Sequence, residues 1–473
     1  MGWASRLTDH GATATDICMR TTLNLDERLL QRAKERAARD GDLDAQVLSC
    51  WSRTMNPWRQ WRAIAGVAGA AALAAATPNP VVAQTLTEAD AIARMRQEHP
   101  AVRALRLGVR EVEADARERS LPANPTVSYT REDAAGNQDD FLLVTQELPL
   151  RGRTGLFGAA AGRAAEAAGA QADADLHDFE VSLRLAFADL LLAQERTVAI
   201  DAGLSELRRL VELLRVREQE GEGSRFDRQR AEREVADVEA DLAIAGIGRV
   251  AAQARLAAFF APGSDPEGLV AAGRLADLEA GAAAESLETL LPRALEQRSD
   301  YRALVSREAR WVIERRAAER LRLPGAAVTA GLKRSGNALI GADAGYALTA
   351  TVGVPVFNRG QLQAARAEAA RARLEAERHV LRGRIEREVR VARTAASRYS
   401  ALADEYRATS VEPAAELASI AQAAYEEGEY GVLELLDAHR VTLGAVLREL
   451  ELLAAARRAM IELDRAAGET PSP

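Results

Sequence analysis

The sequence has few of the side chains that build metal and disulfide centres. Only two cysteines occur, Cys18 and Cys50. Nothing downstream of residue 50 can therefore form a disulfide framework or a cysteine-based zinc module. His99, His177, His379 and His439 stand isolated, with no partner at metal-ligand spacing. Aromatic residues make up 4% of the chain although apolar residues make up 48%. Alanine fills much of that share, which suits thin seams between closely packed helices better than a bulky enzyme core. No surplus of positive charge exists either: the net charge is −8 and the pI near 5.5. General affinity for nucleic acid needs clustered excess Lys and Arg, so the balance excludes it. No nucleophile elbow, phosphate loop or paired catalytic acids appear, which argues against an enzyme and against a bound cofactor.

Long hydrophobic runs are scarce as well. Ala63–Ala76 is a 14-residue run of small and aliphatic residues, short of the ~20 that a membrane-spanning helix needs. Met55, the basic Arg59 and Arg62, the apolar run and then Pro78 and Pro80 make a secretory signal over 55–83, with cleavage after Ala83 and Gln84 as the new first residue. Residues 1–54 then precede the signal as an upstream extension. Within it, Met19–Asp26 leading into Glu27–Arg39 resembles the opening of ribbon-helix-helix antitoxins, a DNA-binding class. The mature chain has no such segment.

Past Ala83 the sequence repeats at a spacing near 206 residues, the mark of a duplicated unit. Leu148-Pro149-Leu150 is echoed by Val354-Pro355-Val356, and Glu220-Gly221-Glu222 by Glu427-Gly428-Glu429. The order in each copy is helix (Leu86–Ser120, Leu287–Leu323), two extended segments, a very long helix, a glycine turn and a helix. The copies span 84–260 and 287–467, with a linker at 261–286 and a disordered tail at 468–473. In the extended segments apolar and polar residues alternate, as in Val127 and Tyr129 against Thr126, Ser128 and Thr130. Val328–Lys333 and Tyr346–Val356 do the same, whereas Asp140–Leu148 is apolar on both faces. Polar loops at Asp133–Asp139 and Ser335–Asp343 join them as hairpins. In an exported protein, such segments read as outer-membrane strands.

Proline is absent from Arg153 to Glu220, 68 residues, which predicts a helix about 100 Å long. Leu176, Leu183, Leu190, Thr197, Leu204 and Val211 recur every seven residues, and Phe179, Ala186, Ala193, Ile200, Leu207 and Leu214 follow three places on. That heptad predicts coiled-coil packing. In the second copy the helix Arg359–Glu427 should bend or break at Pro413. Four strands per chain cannot close a barrel, and open edges are intolerable in lipid. Three chains would pool twelve strands, while strand counting leaves a dimer or a tetramer open.

The doubled plan over 86–467 resembles the TolC-type outer-membrane efflux proteins. Tyr425–Ala438, with Gly428, Tyr430 and Gly431, looks like that family's periplasmic tip. Asn124-Pro125 and Val354-Pro355-Val356-Phe357-Asn358-Arg359-Gly360 are similar to its CzcC-like, heavy-metal branch. The resemblance implies a mainly α fold with a membrane β-barrel. It implies a homotrimer in outer-membrane lipid, an α-helical tube in the periplasm, a periplasmic adaptor protein and an inner-membrane pump of the resistance-nodulation-division class. It also implies a gate role for Glu434 and Asp437, whose i, i+3 spacing puts both on one helix face. Acids in a first turn also offset the helix dipole, so capping is the competing role. Gly221, Ser224, Phe226, Gly428, Tyr430, Val432 and Leu433 mark the tips where an adaptor would dock, the glycines more as turn formers and the apolar residues either as core or as contacts. The first repeat departs in carrying Arg230 where the second carries Asp437.

Overall fold

A computed structural model describes residues 84–134, 137–277, 285–337 and 341–469. The signal expected at 55–83, its Ala83 and the extension expected at 1–54 lie outside the described residues, and Gln84 opens the first strand. In chain order the elements are β1 (Gln84–Leu86), α1 (Glu88–Glu98), α2 (Pro100–Glu118), β2 (Thr126–Ala134), β3 (Asn137–Leu148), α3 (Arg153–Glu220), α4 (Arg225–Ala257) and β4 (Leu269–Ala271). The second half runs α5 (Leu287–Gln297), α6 (Ser299–Glu319), β5 (Gly325–Asn337), β6 (Gly341–Gly353), α7 (Gln361–Tyr406), α8 (Glu412–Glu426) and α9 (Val432–Ala467).

The leading helix of each repeat is broken rather than continuous. His99 leaves α1 in an extended conformation, and its Nδ1 accepts from Ala101 N at 3.1 Å to restart the chain as α2, with Pro100 in the first turn. A proline at that place is pre-set for helix entry and has no N–H to leave unpaired. Arg298 makes the matching break between α5 and α6.

The long helix α3 has the predicted bounds and all 68 residues. Its heptad seam is the core: Leu183, Leu190, Ile200, Leu204, Leu207 and Leu214 are buried. Thr197, the polar member, donates its hydroxyl to Ala193 O at 2.7 Å instead of pointing at a neighbour. Around Phe187 and Leu191, α3 packs on Ile92, Met95, Val102, Leu256 and Phe260. Towards its far end it packs on Ala231, Val238, Tyr425 and Leu435. Alanines at the seams let the helices approach closely, which is why so few aromatics suffice. Charges drawn into this packing are paired. Glu180, 1% exposed, accepts from Arg96, and Arg184 bridges Glu88 and Asp464.

The second long helix breaks before its proline. A π-helical turn at Arg407–Val411 separates α7 from α8, and Pro413 lies in the first turn of α8. Within 261–286, expected as a linker, the described residues up to 277 include a short strand. β4 pairs in parallel with β1, and Gln194 on α3 holds Ala271 through both its N–H and its carbonyl. Leu269 and Leu275 are buried in the central core. The expected tail is also partly anchored. Gly468 caps α9 at φ +75, and Glu469 pairs with Arg293, while 470–473 lie outside the described residues.

The four long strands form one antiparallel sheet in the order β2-β3-β5-β6. The strands run further than the sequence pattern marks, into the polar stretches expected as loops. β6 stops at Gly353, short of Val354-Pro355-Val356, because proline cannot donate to a ladder.

Candidate functional site

The sheet has two chemically distinct faces. Strand register puts Tyr129, Leu142, Leu332 and Tyr346 in one row, and Val144, Ala330 and Leu348 in the next. These side chains share a face because alternate residues do, and the large ones are exposed, Tyr346 at 86%. One row further towards the hairpin ends, the same face turns charged with Arg131, Asp140 and Arg334, the first two paired at 3.1 Å. On the opposite face Thr126, Thr145, Thr329 and Thr349 form a row across all four strands, and the Thr145 and Thr329 hydroxyls meet at 2.8 Å. Phe141 and Leu143, which spoil the alternation of β3, lie on this polar face, and Lys333 Nζ stands over the Phe141 ring, 5.1 Å from its centroid. The outer edges of β2 and β6 have no partner strand among the described residues. A sheet apolar on one face, polar on the other and open at both edges needs further strands and an apolar surrounding.

The hairpin tips are built by glycine. Gly221 and Gly428 end their helices at φ +79 and +81, the left-handed region where a Cβ is disfavoured. Ser224 opens α4 by accepting from Phe226 N at 3.1 Å. Gly431 opens α9 with no side-chain cap. Phe226, Tyr430 and Leu433 are exposed there, Phe226 at 67%. Val432 is different: it is buried with Tyr425, Leu435 and Leu436, so it serves the core of the tip rather than its surface.

Glu434 and Asp437 are both exposed on one face of α9, and neither has an ion-pair partner within 4 Å among the described residues. Glu434 lies in the first turn, and its Oε2 curls back to 3.0 Å from where a Cβ on Gly431 would stand. The macrodipole favours an acid there. Asp437 stands one turn on, where its charge raises the pKa of Arg440 after the stronger effect of Glu234.

Two contacts near the tip were not legible as motifs. Arg440 binds Glu234 through Nε and Nη2, at 3.2 and 2.5 Å, tying α9 to α4. His439 Nδ1 sits 3.6 Å from Glu206 on α3, and burial holds its pKa below the ordinary value against the pull of that carboxylate. Their only sequence signal is that Glu234 and Arg440 stand one repeat spacing apart.

No family model matches the sequence, and no curated relative matches it. Solved structures do match. A membrane protein from Pseudomonas aeruginosa is 20% identical with a TM-score of 0.65, over 80% of this chain and 92% of that one. VceC, an outer membrane protein of Vibrio cholerae, is 19% identical with a TM-score of 0.63, over 81% of this chain and 96% of that one. The CmeC outer membrane channel of Campylobacter jejuni is 14% identical with a TM-score of 0.64, over 85% and 93%. The fold is that of an outer-membrane channel. Within it, the four-stranded sheet is the single chain's share of a barrel wall, and the long helices with their glycine tips are its share of a tube. None of the described helices is long and apolar enough to cross a membrane by itself.

Proposed function

We propose that this chain is the outer-membrane duct of a tripartite efflux system, a passive exit joined to a periplasmic adaptor and an inner-membrane pump. One observation supports it above the rest: an apolar-faced sheet with two open edges continues into a helix of 68 residues. Three copies, each adding the four strands of its sheet, would give a barrel of twelve. Every junction would be antiparallel, because an even number of alternating strands leaves β2 and β6 pointing in opposite directions. The threonine face would then line water and the Tyr129–Tyr346 face would meet lipid, with the charged row of Arg131, Asp140 and Arg334 at the outer headgroups.

The cargo we assign is divalent heavy-metal cations. Support comes from the resemblance carried by Val354–Gly360 and from the exposed pair Glu434 and Asp437, since carboxylates repeated by symmetry around a constriction favour cations. A duct for drugs, organic toxins or a secreted polypeptide is the second reading, which the similarity of fold to the VceC protein and the CmeC channel accommodates equally. A purely structural periplasmic spacer would have no use for the apolar sheet face. Gene deletion tests the assignment. Sensitivity to cobalt, zinc or cadmium should rise more than sensitivity to lipophilic drugs, and the opposite pattern would select the second reading.

A further inference from the structure

The threonine-bearing face of the sheet meets the helices at a cleft of about 490 Å³, lined by Arg119, Arg151, Arg153, Glu147, Phe157 and Gly325 among others. Three cations converge there for a structural reason. Arg119 ends α2, while Arg151 and Arg153 flank Gly152, the positive-φ residue (φ +65) that turns the chain from β3 into α3. The guanidinium carbons of Arg119 and Arg153 lie 4.6 and 5.0 Å from the same Phe157 ring centroid. Arg151 reaches across the start of β5, where an added Cβ on Gly325 would come within 2.6 Å of its Nη2. Gly325 has the same parity as Ala327 and Thr329, so that guanidinium lies over the polar face of the sheet.

The charges are unequally satisfied. Arg119 pairs with Glu314 at 2.8 Å. Arg153 Nε donates to Ala317 O at 3.2 Å. Neither Arg151 nor Arg153 has a carboxylate within 4 Å among the described residues, and Arg151 Nε is buried with no acceptor. Burial, with the charges of Arg151 and Arg119, holds the pKa of Arg153 below its ordinary value. Glu147, the acid that lines the cleft, is exposed and has no ion-pair partner among the described residues.

We propose that this cleft is an oxyanion site, in which Arg151 and Arg153 bind a phosphate or carboxylate group. The guanidinium fork matches the paired oxygens of such a group, and a bound anion removes the repulsion between cations in a partly desolvated space. The site is built by one chain, so binding itself needs no assembly. Its placement in the lumen rests on the duct reading. There, each chain would add one site where the helical tube meets the barrel, so a positive girdle would follow the acids of the entrance. The ligand has two sources: an inorganic anion accompanying an exported cation, or the acid group of an organic cargo.

Calorimetric titration of inorganic phosphate into the full chain in mild detergent, against a chloride background, tests the site. Saturable binding is expected, weakened about tenfold or more by Arg151→Gln or by Arg153→Gln, the scale of a lost charge-assisted hydrogen bond. Gly325→Ala removes no charge, yet should also weaken binding by displacing Arg151. Arg151→Lys should retain part of it. Phenyl phosphate distinguishes the sources: tighter binding than inorganic phosphate marks an organic acid, and equal binding marks the inorganic ion. Circular dichroism on the same samples confirms folding. No saturable binding by the unaltered chain, or equal binding by folded Gln variants, overturns the proposal. Bilayer recordings separate it from the duct reading, since a chain that conducts without binding phosphate loses only the site. A chain that binds phosphate without conducting loses only the duct.

Discussion

Arg440 and Glu234 form a two-point ion pair between the two helical hairpins, across 206 residues of sequence and one repeat spacing. Glu234 is 17% exposed in its side chain and Arg440 64%, so water screens the pair. It holds α9 against α4 beside the tip, where, on the duct reading, a small shift would change the width of the entrance. Screened pairs contribute at most ~1 kcal/mol, so Glu234→Arg should leave the melting temperature nearly unchanged. Single-channel conductance should rise, and Glu234→Arg combined with Arg440→Glu should restore it. An unchanged conductance in the single variant would show that the clasp does not set the entrance.

The two acids beyond the clasp carry a separate expectation. Replacing Glu434 and Asp437 by Ala should lower cation selectivity and weaken block by trivalent cations from the periplasmic side. Stability should change little, since an exposed acid in a first turn contributes only ~0.3–1 kcal/mol. Retained selectivity with a lowered melting temperature would make them helix caps and no more.

How much of this was legible in the sequence follows from which interactions are periodic. The bounds of α3 and its buried leucines come directly from a heptad and an absence of proline, both local. The glycine turns at 221 and 428 are equally local. Strand faces were readable where alternation is strict, as in β6, and obscured in β3 by Phe141 and Leu143, apolar residues on the polar face, the first covered by Lys333 from another strand. The π turn at 407–411 and the β1–β4 pair are set by tertiary packing, which leaves no repeat to read, whereas the break at His99 is local, made by its own cap on Ala101 N and by Pro100. Arg151 and Gly325 lie far apart in sequence, and only the fold brings them together.

Acidification should reveal the buried imidazoles. Burial, more than the charges of Arg184 and Arg298, holds the His177 pKa below 6.5 against Glu180 and Asp178. The folded state thus binds fewer protons than the unfolded one. The stability this supplies is present above pH 6.5 and is lost as the pH falls through that value towards the folded pKa. Melting temperature should therefore decline below about pH 6, the unfolded histidine range, and His177→Gln should flatten that decline. An identical profile in the variant would remove His177 from the account.

Neighbouring residues of β6 test the two faces. Leu348→Arg places a charge on the apolar face and should cost ~2–4 kcal/mol near the middle of a bilayer. Thr349→Arg, one residue on, should assemble normally and change only the conductance. Equal effects from the two would mean that the faces do not see lipid and water as assigned.

The central claim, that open-edged sheets from three chains close one barrel, is tested most directly by counting chains across the edges. No cysteine follows Cys50, so a chain cleaved after Ala83, as the sequence predicts, would supply a clean background for Ser128→Cys on β2 with Thr349→Cys on β6. Both lie on the polar face of their edge strands. Treatment of intact outer membranes with a bis-maleimide, followed by a denaturing gel, should give bands at one, two and three chain masses and none beyond. Monomer alone, or a ladder that stops at two or passes three, would contradict the barrel described here.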